Sequence, residues 1–243
     1  MSNIIEISHL SKRFGRVQAV DDLSFCVKEG ELFSLLGVNG AGKTTTIKML
    51  SCLTKPTDGD AFLLGKSIVT DTNDIKALIA VSPQETAVAP GLSVLENLEL
   101  ICGVHGFSKS VRDEKIKELT ELLGLDSVIN KKAGKLSGGW QRRLSIAMAL
   151  ISEPKILFLD EPTLGLDVIA RSELWDIISS LKGKVTIILT THYMEEAEEL
   201  SDRIAIMKDG KLLVCDTADK IKELTGADTF EKAFISVVKG VSK

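Results

Sequence analysis

Along the first thirty residues, apolar and polar positions alternate in short runs. Ile4 to Ile7 and Val20 to Val27 read as half-buried strands, and Lys28-Glu29-Gly30 as a turn. "ELFSLLG", from Glu31 to Gly37, is a continuous apolar run with the length of a fully buried strand. Lys43 to Leu53 takes helical spacing and stops ahead of Pro56. Asp58-Gly59 reads as a turn, Ala61 to Leu64 as a short strand, and Asp74 to Val81 as a helix end running into a strand. From Ser93 to about Leu150 the period is helical. Ser93, with Glu96 three residues on, has the pattern of a capping box ahead of "VLENLELI". Val111 to Leu123 sets Ile116, Leu119, Leu122 and Leu123 on one face and ends at Gly124. The helix after Gly139 carries Leu144, Ala147, Met148 and Ile151. Strand-sized runs then return at Ile156 to Asp160, Val185 to Thr190 and Arg203 to Met207, with helices at Ile169 to Leu181 and Met194 to Leu200 between them. Lys208-Asp209-Gly210-Lys211 reads as a hairpin turn into Leu212 to Cys215, and the chain after Asp216 as a short helical tail.

Strands alternating with helices imply a parallel sheet with helical crossovers. The predicted architecture is one α/β domain over residues 1–243. An antiparallel β part occupies 1–30 and about 57–73, and the α/β core about 31–56, 74–91 and 152–216. An all-helical insert fills about 92–151, and 217–243 forms the tail.

Composition narrows this picture. With 44% apolar and 26% charged residues, the chain can bury a core without disulfides or structural metals. A net charge of -4 gives no general basic field for a nucleic acid. Cys26, Cys52, Cys102 and Cys215 are scattered, with no Cys-x-x-Cys pair, which fits reduced thiols in a cytosolic protein. The first residues lack a basic start followed by a long apolar run, and "KILFLD" and "VTIILTTH" are strand-sized. The expectation is a chain that is soluble, or held at a membrane only through a partner.

The candidate chemistry lies where strands end. "GVNGAGKT", Gly37 to Thr44, matches G-x-x-x-x-G-K-[ST] in full, after a buried strand and at the opening of a helix. Gly37, Gly40 and Gly42 let backbone N–H groups turn toward phosphates; Lys43 supplies a charge at the β- and γ-phosphates, and Thr44 a hydroxyl for Mg²⁺. "KILFLDEP" ends an apolar strand in two carboxylates, at the strand end where parallel sheets bind ligands. Asp160 is placed to hold Mg²⁺ through water, and Glu161 to reach an attacking water. His192 ends another apolar strand. It either bonds a γ-phosphate or holds the water that Glu161 activates, or it is an incidental strand-end histidine. Gln84 in "VSPQE" can ligate Mg²⁺ or position water, although alone it reads as a loop residue. "LSGG", Leu136 to Gly139, poses a separate question: it is a second anion-binding turn at a helix start, where one nucleotide needs only one.

Together these residues resemble the nucleotide-binding subunit of an ABC transporter, over nearly the whole chain. "GVNGAGKTT", Gln84, "LSGG", "LFLDEP", "LGLD" at Leu164 to Asp167 and His192 stand in the family order. The resemblance implies a P-loop NTPase core of the RecA-like type with an antiparallel β subdomain and a helical signature subdomain. It implies ATP and Mg²⁺ as ligands. Asn39, Ala41 and Thr45 would join Gly37, Gly40, Gly42, Lys43 and Thr44 around the phosphates. Thr44, Gln84 and Asp160 would serve the metal, and Glu161, His192 and Gln84 the hydrolysis. Two ATPase subunits, identical or different, would pack head to tail, with Ser137, Gly138 and Gly139 of one serving the ATP held by the other. That arrangement would explain two anion sites in one chain. Phe14 would stack on adenine, with core packing as its alternative, and Asp167 would sit at the subunit interface. Integral membrane permease subunits would dock near Gln84 and the helical insert, holding the chain peripherally on the cytoplasmic face of the cell membrane; no nucleic acid is expected. "SGGWQRRLSIAMAL", "TFEKAFISVV" and the short tail resemble subunits of drug, antibiotic or sodium exporters.

Two residues depart from the family pattern. Trp140 stands where glutamine is usual, and Val168 where proline is frequent. Trp140 either contacts the partner's nucleotide or packs within the helical insert. One rival reading is a soluble ABC-type ATPase acting on nucleic acid or ribosomes, but this chain has neither a long coiled-coil insert nor a second ATPase module. Another is a nucleotide switch without turnover, against which Glu161, Gln84 and His192 argue together.

Overall fold

In a computed structural model, which describes residues 2–240, each long apolar run becomes a buried strand and each 3.6-period run a helix. The first half of the chain forms β1 (Asn3–Phe14), β2 (Val17–Lys28), β3 (Leu32–Gly37), α1 (Lys43–Leu50), β4 (Asp58–Leu63), β5 (Lys66–Ser67), α2 (Thr72–Lys76), β6 (Ile79–Ser82), α3 (Val94–Val104) and α4 (Lys109–Leu123). The second half forms α5 (Gly138–Leu150), β7 (Ile156–Asp160), α6 (Val168–Ser180), β8 (Thr186–Thr191), α7 (Met194–Leu200), β9 (Arg203–Lys208), β10 (Lys211–Asp216), α8 (Ala218–Thr225) and α9 (Phe230–Lys239).

Two sheets result. One has four antiparallel strands in the order β2-β1-β4-β5. The other has six, in the order β10-β9-β3-β8-β7-β6, with every neighbouring pair parallel except β9–β10. Every residue of β3, β7 and β8 is buried, as expected of parallel strands covered on both faces. Three apolar clusters hold the layers. Val94, Leu98, Ile116 and Leu144 join the helical insert to Leu157 and Leu189 of the sheet. Ile5, Val20, Phe33, Ile47 and Phe158 lie between the two sheets and α1. Leu36 and Ile206 pack on Phe230 and Phe234 of α9. Among the described residues no helix is long and apolar enough to cross a membrane.

The structure corrects three sequence expectations. β1 and β2 form a long hairpin that turns at Gly15 and Arg16, where the reading had only Ile4 to Ile7 and Val20 to Val27 as strands. The polar stretch from Ser8 to Arg13 hid the rest, and its pairing is broken by shifts of register between Ile7 and Leu10. His9 lies there with φ 51, its Nδ1 2.6 Å from Asp22 Oδ1 on the facing strand. Asp58-Gly59 is no turn but the start of β4, with Asp58 opposite Ser11. Gly59 has φ +74, and a Cβ there would come within 2.1 Å of the His9 carbonyl oxygen, so only glycine fits against the irregular β1. Finally, α1 stops at Leu50 and not at Leu53, because the chain reverses at Cys52 with φ 57.

Candidate active site

The site is built where β3 feeds α1. Gly42 caps the helix with φ +100, and a Cβ there would come within 2.6 Å of the Ala19 carbonyl oxygen, so β2 presses directly on the loop. No side chain caps α1, and its first turn has no acidic residue. Its leading N–H groups and positive dipole end are therefore left for an anion. A cavity of about 530 Å³ opens over them. Its wall combines the loop from Asn39 to Thr45, the β2 start from Val17 to Ala19, and Gln84, Glu161, Leu164 and His192 from three separate strand ends. Gly37 lies just behind this wall, at the buried end of β3.

Lys43 is almost wholly buried. Its Nζ donates to the carbonyl oxygens of Gly37 at 2.7 Å and Val38 at 3.3 Å, and lies 3.5 Å from Glu161 Oε1. Burial pushes the Lys43 pKa below its ordinary value, against the opposing pull of Glu161 and Asp160. Phosphate oxygens in the cavity would supply the negative charge that this ammonium is short of.

Asp160 ends β7, with Thr190 its register partner on β8. Its Oδ1 accepts from Thr44 Oγ1 at 3.1 Å and from Thr190 Oγ1 at 2.5 Å. The next residue leaves the sheet abruptly. Glu161 has φ +47, a left-handed conformation that non-glycine residues adopt at a cost of order 1–3 kcal/mol. Its N–H is held by both the carbonyl and the hydroxyl oxygen of Thr190, at 3.1 and 3.0 Å. The turn sends the Glu161 carboxylate into the cavity, away from Asp160, with Oε2 3.2 Å from His192 Nδ1. Thr190, which positions both acidic residues, was not singled out by the sequence reading. Its only sequence signal is its place beside His192 at the end of the same strand.

The donors here are hard oxygens: the Thr44 hydroxyl, the Asp160 carboxylate and the Gln84 amide. That set suits Mg²⁺, which keeps several waters and phosphate oxygens among its ligands. Gln84 follows β6 with its backbone carbonyl held by Arg142 Nη2 at 2.7 Å.

The remaining candidates lie elsewhere. None of Leu136 to Gly139 lines this cavity. Ser137 is exposed at the N-cap of α5, with no side-chain cap bond, and Gly138 and Gly139 pack toward Leu166 and Ala170. Asp167 caps α6, accepting the Ala170 N–H at 2.9 Å. Phe14 is 52% exposed at the hairpin end, with Lys12 Nζ 5.0 Å from its ring centre. That exposure removes the core-packing alternative, and Phe14 does not itself line the cavity, whereas Val17 does. Trp140 packs against the helical core, with Arg143 4.8 Å over its ring and Arg143 in turn 2.5 Å from Glu173.

Residues 20–164 match the family model described as ABC transporter. The chain is 40% identical over 241 residues to the probable multidrug ABC transporter ATP-binding protein YbhF of Escherichia coli K12, covering 97% of this chain and 42% of YbhF. It is 42% identical over 217 residues to the doxorubicin resistance ATP-binding protein DrrA of Mycobacterium tuberculosis, covering 89% of this chain and 65% of DrrA. The chain thus spans under half of the first relative and just under two thirds of the second. A solved dimer of the ATP-binding cassette MJ0796, in a post-hydrolysis state bound to ADP and Pi, superposes with a TM-score of 0.78 at 28% identity, covering 88% of this chain and 98% of that one.

Proposed function

This chain belongs to the ABC transporter family, and on that premise we propose that it is an ATP-hydrolysing motor subunit. Two such subunits close head to tail around two ATP molecules and drive separate membrane subunits, in the direction of export. The observation that carries the reading is the division of labour within one chain. The phosphate loop, Gln84, Glu161 and His192 share one cavity, while the second anion turn at Ser137 is exposed and takes no part in lining it. A turn built for an anion but outside the chain's own cavity is accounted for if it completes the site of a second chain. The MJ0796 dimer and the names of YbhF and DrrA support the dimer and the export direction respectively.

In this mechanism the N–H groups from Gly40 to Thr45 and the Lys43 ammonium bind and orient the β- and γ-phosphates. Thr44, Asp160 and Gln84 would hold Mg²⁺, which when bound would neutralise charge on the phosphates. Glu161 takes the proton of the attacking water, and its left-handed backbone fixes the direction from which it does so. His192, beside Glu161 Oε2, holds that water or the γ-phosphate in line. Ser137, Gly138 and Gly139 of the second chain close the far side and exclude solvent. Asp167 lies at the contact between the chains, and Phe14 against the adenine. Export is further supported by the likeness of the Ser137–Leu150 segment to exporter subunits. The chain works on the cytoplasmic face of the membrane, bound there by permease subunits.

The test is Glu161→Gln. ATP binding should persist, while turnover falls by on the order of 10² to 10⁴, or about 3–5 kcal/mol of barrier. Near wild-type turnover in this variant would remove Glu161 as the base. Copurification of a polytopic membrane protein with the wild-type chain checks the transport assignment, and copurification of ribosomes in its place would overturn it.

A further inference from the structure

Helix α5 begins at the Ser137 turn and, one turn further on, crosses behind the loop that carries Gln84. Arg142 marks the crossing. It is 5% exposed, with Nη1 donating to the Pro83 carbonyl at 2.6 Å and Nη2 to the Gln84 carbonyl at 2.7 Å. Three residues later, Ser145 Oγ meets Ser82 Oγ at 2.9 Å. Three consecutive residues at the end of the edge strand β6 are thus fixed to a single helix.

A neutral side chain could satisfy one of these carbonyls. The planar guanidinium engages both at once and fixes their relative orientation. It does so against a cost. Burial pushes the Arg142 pKa below its ordinary value, and the charges of Asp160 and Glu196 only partly offset that. A buried charge devoted to two backbone carbonyls of the Gln84 loop is more than packing requires.

We propose that Arg142 is a positioning residue that couples the Gln84 loop to the α5 helix start, so that occupancy of the chain's own nucleotide cavity is relayed to the Ser137 turn offered to the second chain. The inference rests on the motor reading above. Gln84 lines the cavity, its backbone is held by Arg142, and five residues earlier on the same helix stands Ser137. The opening turns of α5, pinned to the Gln84 loop at Arg142 and beginning at Ser137, transmit displacement as a single body. Trp140 lies between the two ends and reports on the helix start.

The experiment uses the full chain with Mg-ATP. Arg142→Met and Arg142→Lys are made singly and each with Gln84→Ala. Nucleotide dissociation constants, turnover and tryptophan emission are recorded, and the contribution of Trp140 is isolated by Trp140→Phe. In the wild type, ATP shifts the Trp140 emission. In Arg142→Met the ATP dissociation constant stays within about threefold, turnover drops on the order of 10- to 100-fold, as for a misplaced catalytic group, and the Trp140 shift is lost. Adding Gln84→Ala to Arg142→Met costs little more than the worse single variant, because both act along one path. Ser145→Ala, which cuts only the hydroxyl tie, keeps turnover within about twofold. Should Arg142→Met fail to fold, Arg142→Lys, which retains the charge but not the planar fork that fixes the two carbonyls relative to each other, carries the same expectations with smaller losses.

Losses that multiply in the double variants, or a Trp140 shift that survives loss of the guanidinium, would overturn the relay while leaving the motor reading intact. A wild-type chain that neither binds nor hydrolyses ATP would overturn the motor reading and the relay with it.

Discussion

Glu196 lies outside the lining of the candidate active site. Its side chain is fully buried, and Oε1 accepts from Thr163 Oγ1 at 2.8 Å and from Trp175 Nε1 at 3.1 Å. Burial pushes its carboxyl pKa up, against the lowering effect of hydrogen bonds from neighbours including Thr163 and Trp175. A carboxyl raised on folding binds its proton more tightly in the native state. Its stabilisation is complete below the unfolded value and is lost as pH rises through the folded one. Glu196→Gln keeps an oxygen for Thr163 and Trp175 but has no proton to lose. Between the unfolded pKa and the raised one, the variant should therefore gain on the wild type by up to about 1.4 kcal/mol per pH unit, and above the raised pKa the difference should level off. Paired urea melts from acid to mildly alkaline pH read this directly, and a difference that stays flat with pH contradicts it. At this scale the sequence discloses what is local. Lys43, Thr44, Asp160 and Glu161 are recognisable because their chemistry depends on residues beside them in the chain. Thr190 and Arg142 are not, because each acquires its role only when β8 lies beside β7 or α5 crosses the Gln84 loop.

Elements with their own punctuation are the ones the sequence reveals. The capping box at α3 forms in both directions, with Glu96 N–H to Ser93 Oγ at 3.1 Å and Ser93 N–H to Glu96 Oε2 at 2.7 Å. Ser93→Ala should cost about 1 kcal/mol of stability, seen as a lower urea midpoint at unchanged slope, with ATP turnover intact because no residue of α3 lines the cavity. A midpoint unchanged within error would mean that tertiary packing alone holds the helix start. The α4 end at Gly124, in left-handed conformation, is legible for the same reason. The β1–β2 hairpin is not. Its polar residues look like loop, and what makes them strand is pairing across bulges at His9 and Asp22, which no local pattern encodes. Gly59 likewise looks like a turn until β1 is set against it.

For the whole molecule, the separation of Lys43 from Ser137 makes a complementation test decisive. On the shared-site proposal, Lys43→Ala should damage a chain's own cavity, and Ser137→Arg the half offered to a neighbour. A mixed dimer of the two inactive variants holds one site with both lesions and one with neither, so mixing them should restore part of the ATPase activity. No recovery despite demonstrated mixed dimers would refute shared sites. Val168 and Ile169, next to Asp167 at the start of α6, are exposed, and on the same proposal a second chain would cover them.

The order of strands in the large sheet has a consequence in time. β3, which ends in the phosphate loop, lies between β8 and β9, with Leu32 beside Ile187 and Phe33 beside Arg203. At about 5–20 residues per second, the loop is synthesised roughly 7 to 30 s before the first of its flanking strands is complete. Through that interval the nascent chain carries the motif but no site, since Gly37 has no Met207 to lie against. A nucleotide can therefore meet the complete cavity only in a chain whose translation has passed His192.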